Sequence, residues 1–191
     1  VAPVKRLFSL GVSVVRVLPN GDLVVGTGEG KLARISIQNL HVLSESEIMG
    51  NVTSISFTGD YTHFFCGSSQ SNIYWVNATT LVPELRNTCH YERINDIAFP
   101  HNYSEVFATA APNEIRIWNT KNRQELLRIQ VPGLECYSVC FAYDGKSIIS
   151  GWSDGKIRAF LPQSGKLLFV INDAHNHGCT SVTITSDGER I

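Results

Sequence analysis

Three short stretches carry residue types that could do chemistry, and each has a plainer reading beside it. His175-Asn176-His177-Gly178-Cys179 offers imidazole nitrogens and a thiol at close spacing, atoms that zinc accepts. A tetrahedral site needs a fourth ligand, and no second cluster supplies one; the alternative is a connecting loop with a structural His. Gly26-Thr27-Gly28-Glu29-Gly30-Lys31 has the look of a phosphate loop. Such a loop needs Ser or Thr after the Lys and a helix whose N-terminal amides face the phosphate. Leu32 follows instead, inside an apolar run, which favours a glycine-bearing hairpin. Cys136 and Cys140 flank a strand-like run, an arrangement that argues against a redox pair. Asp22, Asp60, Asp144 and Asp187 fall at turns, where a carboxylate bonds the backbone two residues on. No nucleophile is placed with a base. The expectation is a non-catalytic chain with no metal and no cofactor.

The elements that must position any site are short strands. In Asp144 to Phe160, DGKSIISGWSDGKIRAF, two apolar runs flank Asp154-Gly155, a strong hairpin signal. The pattern recurs. Ile157 has counterparts at Ile115, Ile73 and Leu32, spaced by 42, 42 and 41 residues. Ahead of each hairpin, Val182, Val139, Ile97, Ile55 and Val15 form a second ladder with intervals of 43, 42, 42 and 40. Two ladders sharing one period point to a β-propeller repeat. Runs such as Leu23-Val24-Val25 are apolar at successive positions, as expected of a sheet covered on both faces. Outer strands should be more polar, as Pro83-Glu84-Leu85-Arg86-Asn87 is. No helical periodicity appears.

The expected division is 1–11 as the outer strand of a preceding blade, with complete four-stranded blades at 12–50, 51–92, 93–134 and 135–177. Residues 178–191 would begin another. The third hairpin turns at Pro112-Asn113 and is expected to differ in turn type, since proline fixes φ and Asn tolerates positive φ. The fold class is all-β, an open arc of a larger propeller, because such rings close with about four to eight blades.

Surface contacts are the remaining source of function. Trp152 stands beside the fourth hairpin turn, where the other repeats carry Thr27, Ser68 and Ala110. An exposed Trp there would anchor a partner; a buried one would pack across neighbouring blades. Arg116 and Arg158 share one repeat position, where they either stack on the Trp118 and Phe160 rings or meet a partner. Charged residues make up 17% and the net charge is −1, so there is no polybasic nucleic-acid footprint. No apolar run approaches the length of a membrane-spanning helix. Cys66, Cys89, Cys136, Cys140 and Cys179 are odd in number and read as free thiols in a reducing compartment. Sequons at Asn51, Asn77 and Asn102 point weakly the other way.

GWSDGKIRAF, with IRIW at Ile115 to Trp118, resembles the WD40 family. A full repeat of that family bonds together a His before the first strand, a Ser or Thr on the second, an Asp in the hairpin turn and a Trp on the third. Here His90 precedes the third repeat, which has Thr109 and Trp118 but Pro112-Asn113 in place of the Asp. The fourth has Ser150, Asp154 and Phe160 and no such His, and His175 precedes the fifth. The blades are therefore expected to lean on packing rather than on buried polar networks. The order of GDLVVGTGEG, NVTSISF, EVFATAA, EIRIWNT and the run from Arg123 to Gly178 further resembles a WD-repeat family of motile cilia, over essentially the whole chain. That resemblance implies a scaffold of the axonemal cytoskeleton, inside the lumen of cilium and flagellum doublet microtubules. Its implied partners are tubulin and luminal proteins such as enkurin, with no nucleic acid and no membrane. The rival expectation is a cytosolic adaptor of a signalling or ubiquitin-linked complex that binds peptides at its central opening.

Overall fold

The computed structural model describes residues 11–86 and 92–191, and every regular element among them is a β-strand. The expected strand at Pro3 to Ser9 and the residue His90 lie outside the described residues. One antiparallel sheet runs in chain order through β1 (Val12–Val17), β2 (Leu23–Thr27), β3 (Lys31–Ile35) and β4 (Val42–Glu47). A second repeats the plan with β5 (Val52–Phe57), β6 (His63–Ser68), β7 (Ile73–Asn77) and β8 (Pro83–Arg86). The rest comprises β9 (Asp96–Ala98), β10 (Val106–Asn119), β11 (Glu125–Phe141), β12 (Ile148–Trp152), β13 (Ile157–Phe160) and β14 (Leu167–Ile171).

These last six strands are hydrogen-bonded in one order because two of them serve twice. The first half of β10 pairs with β9, as Thr109 with Ile97, and its second half pairs with β11, as Ile115 with Ile129. The two halves fold back on each other about Pro112-Asn113, since the Thr120 amide donates to the Glu105 carbonyl at 2.8 Å. β11 leaves β10 near Gly133 and continues into a ladder with β12, as Val139 with Ser150. The outer strand of the third repeat is thus continuous with the inner strand of the fourth.

Both sequence ladders occupy equivalent places. Val15, Ile55, Ile97 and Val139 pair with Val25, Cys66, Thr109 and Ser150 on the strand that follows each. Leu32, Ile73, Ile115 and Ile157 are all buried. The hairpin turns share a left-handed residue at the same interval, Gly30 (φ 84°), Ser71 (φ 63°), Asn113 (φ 67°) and Gly155 (φ 79°). The Pro112-Asn113 turn therefore keeps the left-handed position of its neighbours, with Asn supplying what Gly supplies elsewhere. In the fourth turn only Gly155 needs positive φ, and its amide closes back on the Trp152 carbonyl at 3.1 Å.

Neighbouring residues on the second strands feed different cores, which explains the successive apolar positions. Phe64 packs with Val14, Val24, Val52 and Ile55, while Phe65 packs with Ile94, Ile97, Phe107 and Trp118. Ile148 faces Ala110, Ile115 and Cys136, and Ile149 faces Ile157, Cys179, Val182 and Ile184. The cores therefore lie between sheets. The first strands converge on one line, β1 beside β5, β5 beside β9 and β9 beside β11.

Candidate functional site

Trp152 ends β12 with its ring fully buried. Its indole N–H donates to Ser150 Oγ at 2.8 Å, and Ser150 Oγ donates in turn to the Arg158 carbonyl at 3.0 Å. The Arg158 guanidinium lies 5.5 Å from the Trp152 ring centroid and holds both carboxylate oxygens of Asp154, at 2.9 and 2.7 Å. Those bonds hold the Asp154 carboxyl below its ordinary range. The third repeat builds the same group from other strands. Trp118, in the second half of β10, donates its indole N–H to Thr109 Oγ1 at 2.9 Å. Arg116 sits 5.8 Å from that ring and pairs with Glu114 at 2.6 Å and Glu125 at 3.0 Å.

This placement corrects two readings of the sequence. Trp152 and Arg116 are buried, at 0% and 1% exposure, and Arg158 is clasped by Asp154, contacts that match the packing alternative of the two the sequence left open. Arg158 covers Trp152, not Phe160. Nor does the fourth repeat rely on packing alone. A Trp on its second strand replaces the missing one on its third, and Asp154 bonds Arg158 instead of a His.

Contacts between repeats were not legible locally. Asp96, on β9, accepts from Ser138 Oγ at 3.0 Å and from the Val139 amide at 3.0 Å. Ser138 Oγ accepts in turn from the Val182 amide at 3.2 Å, so one relay joins β9, β11 and the segment through Val182. Burial pushes the Asp96 carboxyl above its ordinary value, partly offset by those bonds. Glu135 clamps the same junction, accepting from Arg93 and from Asn95 Nδ2. A further ladder of buried residues, Val52, Ile94, Cys136 and Cys179, seats the entry to each repeat on the sheet before it. At Gly151 the seat is so close that a Cβ would lie 2.6 Å from the Cys179 carbonyl oxygen. The signal for this ladder was available, since it follows the period of the other two.

The three chemistry-bearing stretches resolve simply. The Gly30 amide donates to the Thr27 carbonyl at 3.2 Å, and Leu32 is buried inside β3 rather than opening a helix. The His175 amide donates to the Gly155 carbonyl at 3.2 Å, which folds that loop over the fourth hairpin. Among the described residues no group of three His, Cys, Asp or Glu is placed to hold a metal. Cys136 is a free thiol raised well above its ordinary value by burial, and Cys140 is pushed up to about 12 by the same cause. Neither is a thiolate nucleophile at neutral pH.

Two of the surface depressions lie where repeats meet. A cleft of about 550 Å³ between the third and fourth repeats is lined by Pro100, His101, Tyr103, Leu126, Phe141 and Tyr143, with the His101 and Tyr143 rings stacked 4.1 Å apart. Where the first strands converge, Ser13, Asn51, Arg93, Asn95, Tyr137 and Thr180 line a shallow opening of about 390 Å³.

The WD domain, G-beta repeat family matches residues 130–160, the span that holds the Ser150–Trp152–Asp154–Arg158 group. Residues 130–160 are thus similar to a WD40 repeat. The chain is similar, over nearly its whole length, to proteins called cilia- and flagella-associated protein 52. The Mus musculus protein is 47% identical over 189 residues, 99% of this chain and 30% of its own length. The Homo sapiens protein is 44% identical over 191 residues, 100% of this chain and 31% of its own. The Chlamydomonas reinhardtii protein is 44% identical over 183 residues, 94% of this chain and 29% of its own. The chain thus spans about 30% of the length of these relatives.

Proposed function

We propose that this WD40 chain is part of a non-catalytic scaffold of the cilium and flagellum, binding and stabilising axonemal doublet microtubules from their luminal side. The observation that carries the reading is the 44% identity to a Chlamydomonas reinhardtii protein named for cilia and flagella, alongside 47% to the mouse one. The chain's physical character supports it. Side chains that could have been reactive are spent inside the sheets, on indole N–H bonds, guanidinium clasps and buried thiols. What faces outward is broad sheet and loop surface, suited to extended contacts with tubulin and with luminal proteins such as enkurin. In this reading 12–50, 51–92, 93–134 and 135–177 are successive blades of an arc that further blades extend.

The tagged protein should remain with axonemes through detergent extraction and salt washing, and should come off only when the doublets are dissolved. Recovery in the detergent-soluble fraction would overturn the reading. The polar opening between Arg93, Asn95 and Tyr137 favours a second one, an adaptor that binds peptides there. A pulldown rich in signalling or ubiquitin-linked proteins and free of tubulin would select it.

A further inference from the structure

Gly59, His101 and Tyr143 stand at one place in three successive repeats, one residue into the turn that leaves the first strand, at intervals of 42 residues. At the junction of the second and third repeats, Gly59 lets the two turns meet. Its amide donates to Ser104 Oγ at 2.7 Å, and a Cβ on it would lie 3.1 Å from the Asn102 Cα. At the junction of the third and fourth, two stacked rings, His101 and Tyr143, take that place, and a cleft of about 550 Å³ opens beside them. It reaches Val106, Ile117, Leu127 and Phe141 of the core between those repeats. Every residue lining it falls between Pro100 and Gln163, and packed chain flanks the junction on both sides. Phe65 of β6 packs on Phe107 and Trp118 before it, and Val182 and Ile184 pack on Ile149 after it.

The lining says what would fill the cleft. Its rim is aromatic and half exposed, with Tyr103 at 48% and Tyr143 at 47%, and Pro100 and Pro162 complete it. An ordinary extended peptide would bury backbone N–H groups against the apolar floor, where no acceptor waits. The Tyr103 hydroxyl, a donor, is already given to Glu105 at 3.0 Å. A proline has no N–H to bury, and a run of prolines is already held in the extended helix that aromatic-lined grooves accept. Charge narrows the choice further. No Lys or Arg lines the cleft, whereas Asp144 does, and Glu105 is tied to it through Tyr103. Lys146 comes only to 3.7 Å from Asp144 with both side chains largely in solvent, a pairing too weak to satisfy that carboxylate.

We propose that this cleft docks an extended proline-rich segment of another protein, one that carries an Arg or Lys beside its prolines. The test is titration of the whole chain with a short polyproline peptide ending in arginine, followed by calorimetry. The peptide should bind saturably, and its glutamate-ended counterpart should bind about fivefold more weakly. Asp144→Lys should reverse that preference. Tyr103→Ala and Tyr143→Ala should each weaken binding about tenfold, with thermal unfolding confirming that the variants fold. Tyr61→Ala, at an exposed tyrosine outside the cleft, should change nothing. Absence of binding overturns the proposal, as does binding indifferent to both Tyr103→Ala and Tyr143→Ala. Equal binding by a peptide with alanine in place of every proline, which favours an α-helix, overturns the proline-rich occupant. A preference for arginine that survives Asp144→Lys overturns the charge selection.

Discussion

The third and fourth repeats hold an indole in the same cross-sheet setting by different routes. In the third, Trp118 reaches Thr109 from the neighbouring segment of the hairpin; in the fourth, Trp152 reaches Ser150 along its own strand. Thr109 and Ser150 are equivalent, each opposite the same rung of the inner-strand ladder. A guanidinium covers each ring and a carboxylate holds each guanidinium. What the fold keeps is therefore a group of interactions, not a residue at a position. A buried hydroxyl left without a partner costs about 1–3 kcal/mol, so the indole donor is retained even when its strand changes.

That equivalence can be broken by experiment. Trp118→Ala and Trp152→Ala should each cost about 3–5 kcal/mol in denaturant unfolding, as expected for a large buried aromatic. A cost for Trp152→Ala no larger than that of a surface change would show the fourth repeat to be held otherwise. The corresponding phenylalanine variants keep most of the apolar area and should each lose about 1–2 kcal/mol, by similar amounts. The two repeats differ at the seat for the next one, where the third has Ala110 and the fourth has Gly151, so that Ala111 rather than Ala110 stands level with Trp152. Gly151→Ala drives a Cβ against the Cys179 carbonyl and should cost about 1–3 kcal/mol. The smallest effect concerns charge. Because Arg158 lowers the Asp154 carboxyl, their pairing adds stability above the unfolded carboxylate value of about 3.9 and loses it as pH falls through the lower folded value. Arg158→Gln should therefore be destabilising at neutral pH, by about 0.5–1 kcal/mol from the ion pair alone, with the gap to wild type closing in acid. A gap that is constant with pH would assign the role of Arg158 to stacking.

Much of the strand plan was legible because turn residues and apolar runs report local geometry, and the period of the repeat multiplies that signal. Asp154-Gly155 marked its hairpin, and the ladder through Ile157 marked the third strand of every repeat. What stayed hidden depended on neighbours far along the chain. Asp96 carried no local signal because its partners, Ser138 and Val139, lie 42 and 43 residues away. Whether Trp152 is buried could not be read from the turn beside it, because what covers that turn is the next repeat entry, where the Cys179 amide donates to the Trp152 carbonyl. Pro112-Asn113 was legible as the third hairpin turn, and β10 does reverse there, with Asn113 at positive φ.

β11 also has a mechanical meaning. A chain pulled at the rim of the third repeat would pass the load to the hub of the fourth through a short connection at Gly133, whose amide is tied to the Asn113 side chain. Two adjacent blades are thereby yoked in tension as well as glued by their shared core, which is a useful property in any assembly that is repeatedly bent.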